Sequence, residues 1–420
     1  MHGRADRGGG VRRRAVRVNT AERGRPVACV LGDTDLLRAL ALARVPCAVV
    51  APPDAPARYS RLARVAVGWA DPWQQPNRLI GLLERFAMTQ GQTPVLFYDE
   101  DRYVLLISRE RERLQHHFRF VVPAGALVEN LVDKARFQVL AERLGLPVPP
   151  GRLLDPASDP APVDLEFPLV LKPRVRREDQ WPSIAGDAKA LRIETASALR
   201  EVWPRLAAAR VVLLVQRLIP GPETQVESYH VYVDQRGDTV AEFTGRKLRT
   251  WPTSCGFSTA LLTSDAPDVV ALGRDIIARL ELQGVAKLDF KRGPDGRLSL
   301  LEVNPRFNLW HHLGARAGVN IPAFVYADLV GEPRPRAAVA RPGVRWCKPW
   351  HDVHAARAAG VPLLTWLRWT LGAEAKRTLA WDDPLPLIGA ALDRGIARFR
   401  HRLPTAPPEA SSAAGAGPGG

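Results

Sequence analysis

The chain has 420 residues, 46% apolar and 25% charged, enough for two or three domains with cores of their own. Its formal charge of +15 points toward a polyanion partner, but residues 1–25 alone hold eight arginines against two acids. Four scattered cysteines form no CxxC pair, no run approaches the roughly 20 apolar residues of a membrane span, and the basic start lacks a secretory signal's apolar core. A disulfide scaffold and a membrane span are excluded, nucleic acid is not the expected partner, and a reduced cytoplasmic setting is.

Residues 1–25 read as a basic, disordered arm. An apolar strand at 27–31 then ends in Gly32-Asp33, and a helix follows over 34–43 with Thr34 or Asp33 as N-cap. A strand at 45–51, a helix at 79–89 and a strand at 94–98 keep the alternation going, which predicts a parallel, doubly wound sheet. No Gly-x-Gly-x-x-Gly follows the first strand, so this Rossmann-like region is not a dinucleotide site.

The pattern next predicts a helix over 131–144, closed by Gly145 and the prolines beyond it. A strand at 167–172 stops at Pro173, and a helix over 197–209 leads into a strand at 211–216. Strands at 225–233 and 239–244 flank a turn, and a helix spans 268–280. Strands at 285–291 and 297–303 form a hairpin across Gly293-Pro294-Asp295-Gly296, a good turn sequence. Residues 333–403 are expected to be helical and rich in Trp, and the Pro/Ala/Gly/Ser-rich tail 404–420 disordered.

The second hairpin carries the chemistry. Residues two apart on a strand share a face, so Glu302 and Asn304 point the same way. The neighbouring strand places Asp289 beside them only if the register has the right parity. Two carboxylates and an amide oxygen suit magnesium, or manganese in its place. Pro305 ends the strand, and Arg306 leaves at the rim as a fork-shaped donor for phosphate or carboxylate. An ordinary acidic surface hairpin would show the same residues taken singly.

In this order and context the hairpin resembles the closing motif of the ATP-grasp superfamily, and the likeness extends over roughly residues 26–332. The resemblance implies a mixed α/β (α+β) fold in which 26–130 form a Rossmann-like pre-ATP-grasp domain. Residues 131–332 would form a two-part ATP-grasp domain with a small subdomain at 165–216, followed by the helical C-terminal extension. It also implies that Lys134 and Lys172 are the two nucleotide lysines. Gln216, Arg217 and Leu218 would be the hinge whose backbone meets adenine, and Glu223, seven residues after Gln216, the acid on the ribose.

Two positions depart from that family. The lid segment 174–181 has no glycine, where many members cradle phosphate on a Gly-rich loop, and the hinge opens with Gln216 instead of a carboxylate. The segments 245–249, 251–259, 95–101 and 317–322 are similar to the D-aspartate-ligase-like group of predicted carboxylate–amine ligases. There Arg246 and Lys247 would neutralise the transferring phosphoryl group. Cys255 has no histidine close in sequence and reads as structural, while His311 and His312 read as pocket or supporting residues.

The activity implied is ATP- and magnesium-dependent activation of a carboxylate as an acyl phosphate, then attack by an amine. The partners would be a small-molecule carboxylate and an amine, and a homodimer is compatible with the chain. An ATP-grasp kinase and a catalytically silent ATP-binding regulator are the alternatives. Trp366, Trp369 and Trp381 raise a third, a protein of membrane surfaces or nucleic acid.

Overall fold

Three sheets organise the computed structural model, which describes residues 24–389 except 160, 162–164, 176–180, 187, 337 and 378–381. Most of the basic arm, the lid residues 176–180, Trp381, residues 390–403 and the expected tail lie outside the described residues. Among those described, no helix is long and apolar enough to cross a membrane.

The first sheet is parallel, in the order Ala63–Val67, Cys47–Val50, Ala28–Leu31, Val95–Tyr98. Alternation along its strands feeds two cores. Ala28, Val30, Val49 and Phe97 face one side, Cys29, Leu31, Val50 and Leu96 the other. The second side is covered by helices Pro76–Met88 and Asp101–Arg109. The first side packs on helix Thr34–Leu42 and on Trp310, Ile321 and Phe324, so this sheet shares a core with the middle of the chain. Asp33 is the N-cap of Thr34–Leu42, its carboxylate accepting from Thr34 N at 2.6 Å. The doubly wound expectation is met. The strand Ala63–Val67 and the helix Asp101–Arg109 were not expected, because the first is largely exposed and the second begins inside an acidic run.

The expected single helix over 131–144 is two. Gly125–Val132 ends at Asp133, whose carboxylate accepts from Ala135 N at 3.0 Å and Arg136 N at 3.2 Å and starts a new helix, Lys134–Arg143. The apolar period runs through the break, and the cap decides it. A small antiparallel sheet follows, in the order Gly151–Leu154, Leu213–Arg217, Leu169–Pro173, Leu191–Ile193, backed by helix Ala196–Ala208.

The largest sheet has seven strands, in the order Leu298–Asn304, Gly284–Arg292, Val226–Val233, Thr239–Trp251, Phe257–Ser264, Arg345–Cys347, Ala375–Lys376. All pairs are antiparallel except the last. Helices Lys134–Arg143 and Pro267–Arg279 cover one face through Tyr229, Val231, Leu288 and Phe290. Two departures from the sequence reading stand out. Thr239–Trp251 runs well past residue 244, and Phe257–Ser264 is a mostly buried strand where the sequence reading assigned no element. The C-terminal region is also not purely helical. Helices Pro349–Ala358 and Leu363–Leu371 sit between two strands that extend the large sheet.

Arg25, assigned to the arm, belongs to the body. Its Nε donates to Glu332 at 2.8 Å, Nη1 donates to Ala43 O at 3.1 Å, and the guanidinium stacks on Tyr326 at 4.9 Å. Deletion of residues 1–24 is expected to leave the melting temperature within about 1 °C. Removing Arg25 as well should cost about 1 kcal/mol, a fall of about 2–4 °C in a thermal melt.

Candidate functional site

Cross-strand register decides which side chains meet. Gly245, Ser228, Asp289 and Glu302 lie in one row across four strands, and Phe243, His230, Lys287 and Asn304 in the next. Residues in a row, and residues two apart, share a face, so Asp289, Glu302 and Asn304 converge as their spacing requires. Gly245 is obligatory in its row, because a Cβ there would lie 2.5 Å from the Trp310 ring.

Parity also sorts the two basic residues after Gly245. Lys247 is two positions on, buried on the site face. Arg246 pairs with Glu227 on the opposite parity and is exposed, so it does not line the site; this corrects its expected place beside Lys247.

A cavity of about 220 Å³ lies between the small sheet and the large one. Lys134, Lys172, Gln216, Arg217, Leu218, Glu223, Lys247, Asp289, Glu302, Asn304 and Arg306 all line it, drawn from positions 172 residues apart. Lys172 leaves its strand end with Nζ donating to Gln216 Oε1 at 2.8 Å, and Gln216 Nε2 donates to Gln138 Oε1 at 2.8 Å. A glutamine at residue 216 thus links the lysine to the helix behind it. Burial lowers the Lys172 pKa, Glu302 opposing it.

The carboxylates sit in a cationic field. Lys287 Nζ is 2.7 Å from Asp289 Oδ2 and 3.9 Å from Glu302 Oε1, and Lys247 Nζ is 4.0 Å from Asp289 Oδ2. Ser228 Oγ donates to Asp289 Oδ1 at 2.5 Å. Burial works to raise the Glu302 pKa, but Lys287 and then Lys189 hold it well below its usual range. Glu302 therefore stays ionised. The two carboxylates already share one cation, the Lys287 ammonium, and their hard oxygens fit a divalent ion as well. Among the described residues no cluster of three His, Cys, Asp or Glu ligands exists, so the third protein oxygen would be the Asn304 amide.

Arg306 is not a free fork. Its Nε donates to Asp101 at 2.5 Å, Nη1 to Asp99 O at 2.9 Å and Nη2 to Asn304 Oδ1 at 3.2 Å. It lines the cavity while tying the end of the first sheet to the strand Leu298–Asn304. The lid's Arg174 is likewise committed, Nε donating to Asp133 at 2.7 Å. At the hinge, Leu218 N–H donates to Pro168 O at 2.9 Å, which leaves Ile219 as the next backbone donor along the cavity wall.

Three lysines were not singled out from sequence. Lys287 precedes Asp289 by two and could have been found by parity. Lys189 lies in a loop without pattern; burial, with Lys247, brings its ammonium down to about 8. Lys291 donates to Gly221 O at 2.8 Å and Pro222 O at 2.6 Å, holding the turn before Glu223. Cys255 borders the cavity at φ 52°, and burial raises its thiol pKa, so it is a poor nucleophile. His311 and His312 do not line it. His311 is buried against Asn308, with burial lowering its pKa to about 3, and His312 braces Asp35 at 3.2 Å.

Comparison with known proteins gives concordant results. Residues 210–348 match the family model described as "ATP-grasp in the biosynthetic pathway with Ter operon". A D-alanine–D-alanine ligase from Halorhodospira halophila is 27% identical over 213 residues, 48% of this chain. That match spans 66% of the ligase's own length, just short of two thirds. Among solved structures, an ADP complex of N5-carboxyaminoimidazole ribonucleotide synthetase superposes with a TM-score of 0.58 at 16% identity. It covers 80% of this chain and 85% of the other. An L-amino acid ligase from Bacillus licheniformis gives 0.56 at 13% identity, covering 74% and 75%. At these identities the superpositions establish the fold.

Proposed function

Since this chain belongs to the ATP-grasp superfamily, we propose that it is an ATP-dependent ligase that activates a carboxylate and couples it to an amine. The observation that carries this reading is the single cavity lined by Lys134, Lys172, the 216–219 segment, Glu223 and the Asp289–Glu302–Asn304 set. The relatives named as ligases support the C–N bond-forming chemistry.

In this reading adenine lies against 216–219, with Glu223 on the ribose and Lys134, Lys172 and Lys189 on the phosphates. Asp289, Glu302 and Asn304 would hold magnesium, which supplies charge neutralisation at the phosphoryl oxygens. Lys247 and Lys287 stabilise the charge that grows as the γ-phosphoryl moves to the substrate carboxylate. The resulting acyl phosphate is attacked by the amine, and no side-chain nucleophile is required. The small sheet, closing over the cleft, keeps water from the intermediate. The domain division at 26–130, 131–332 and 165–216 belongs to the same proposal.

An ADP-release screen of carboxylate and amine pairs, read by mass spectrometry, tests it. ADP release that depends on the amine and yields an amide is expected; a phosphorylated product without any amine would make the protein a kinase. Lys172→Ala should weaken ATP binding by about 10- to 100-fold in calorimetry, through loss of a charge-assisted phosphate contact. Unchanged affinity would remove that strand from the nucleotide site.

A further inference from the structure

Trp366 and Trp369 belong to no part of the cleft, and both turn inward from helix Leu363–Leu371. Trp366 Nε1 donates to Asp352 Oδ2 at 3.0 Å, and the Arg249 guanidinium stacks on Trp369 at 4.6 Å. Asp352 is fully buried and accepts three more bonds, from Arg249 Nε at 2.8 Å, Arg249 Nη2 at 2.7 Å and Thr259 Oγ1 at 2.8 Å. One buried carboxylate thus fixes the rotation of this helix against strands Thr239–Trp251 and Phe257–Ser264.

That rotation turns leucines to solvent. Leu363, Leu364, Leu367 and Leu371 are between 42% and 63% exposed. On a helix these positions fall within an arc of about 100°. Among the described helices named above, no other exposes more than one large apolar side chain. A surface helix ordinarily turns its apolar stripe to the core, and a contiguous exposed stripe marks a contact surface. Trp350, at the start of the preceding helix Pro349–Ala358, is exposed as well.

The charge around the stripe has one sign. Asp352 is the sole acid over residues 349–373 and is buried, whereas Arg357 and Arg368 are exposed. Further along the sequence, residues 390–403 add Arg394, Arg398, Arg400 and Arg402 against Asp393 alone. A second copy docked face to face would bring Arg357 and Arg368 together with no exposed carboxylate in return. Nucleic acid would take the arginines and leave the leucines in water. An anionic lipid surface suits both groups. We propose that the Leu363–Leu371 face docks this protein reversibly on an anionic phospholipid surface. The four leucines enter the boundary between headgroups and acyl chains, and Arg357 and Arg368 meet the lipid phosphates. The inference goes beyond the ligase reading and does not depend on it.

The test is co-sedimentation of the full chain with vesicles of phosphatidylcholine, either alone or mixed equally with phosphatidylglycerol. Affinity for the mixed vesicles should be higher by about 10-fold or more, and should fall as salt rises from about 0.1 M to about 0.5 M. Leu364→Glu combined with Leu367→Glu should lower that affinity by about 10- to 100-fold, through lost burial and added repulsion. Arg357→Gln and Arg368→Gln should each lower it by about 5-fold. All four side chains are exposed and lie outside the cleft, so thermal melts and ATP affinity should stay close to wild type. No binding to the mixed vesicles, or undiminished binding by the leucine variant, would overturn the proposal. So would a concentration-dependent dimer in light scattering that the leucine variant abolishes, since a second copy would then hold the face. Tighter binding to duplex DNA than to vesicles, indifferent to the leucine substitutions, would also overturn it and assign the arginines to nucleic acid.

Discussion

Replacing Glu302 with Gln is expected to lower magnesium-dependent turnover on the order of 10³-fold while the protein still folds. Glu302 faces Asp289 across a register pair, and its charge is held by Lys287 at 3.9 Å. Glutamine keeps the volume but loses the charge that a divalent ion requires. Lys287 retains Asp289 at 2.7 Å, and the Glu302 side chain is half exposed, so the melting temperature should move by no more than about 2 °C. Turnover across a magnesium titration, run beside thermal melts, checks both halves. Full activity with a normal magnesium response would dismiss the metal assignment.

Arg306→Ala is expected to cut product formation by about 10²- to 10³-fold and to affect ATP affinity far less. The sequence suggested a free fork aimed at phosphate or carboxylate. Its contacts to Asp101, Asp99 O and Asn304 give it a second duty, fixing the strand Leu298–Asn304 against the first sheet. Arg306→Lys should recover only part of the loss, since an ammonium keeps the charge without the three-way geometry. Asp101→Asn separates the duties. If positioning dominates, it should reproduce much of the loss of product formation at unchanged ATP affinity. If Arg306 acts on the reacting oxygens, Asp101→Asn should be mild. A folded Arg306→Ala protein with wild-type product formation would remove the arginine from the chemistry.

What could be read from sequence was whatever depends on neighbours in sequence. The hairpin turn 293–296 and the period of two put Asp289, Glu302 and Asn304 on one face, and the strand–helix rhythm gave the parallel sheet. The same rule, applied one step further, would have separated Arg246 from Lys247 and added Lys287. The rest depends on partners far along the chain. Nothing local marks Lys189, and the tie from Arg306 to Asp101 spans 205 residues. The break at Asp133 was hidden because apolar spacing continues through it while its carboxylate turns back to cap the next helix. Phe257–Ser264 was hidden because serines and threonines are buried there among strands on both sides.

The last strands of the large sheet have a further consequence. Arg345–Cys347 covers one side of Phe257–Ser264 through Ala260, Leu261 and Leu262, with Trp346 fully buried against the shared core. A chain cut at residue 332 would keep every residue assigned to the cleft but lose that cover. Phe257–Ser264 would become an uncapped margin with open backbone groups and the apolar Ala260 and Leu261, the kind of surface on which other chains assemble. The C-terminal segment therefore covers an edge that would otherwise be open, and a version shortened at residue 332 is expected to accumulate as aggregates in size-exclusion chromatography even though its cleft residues are all present.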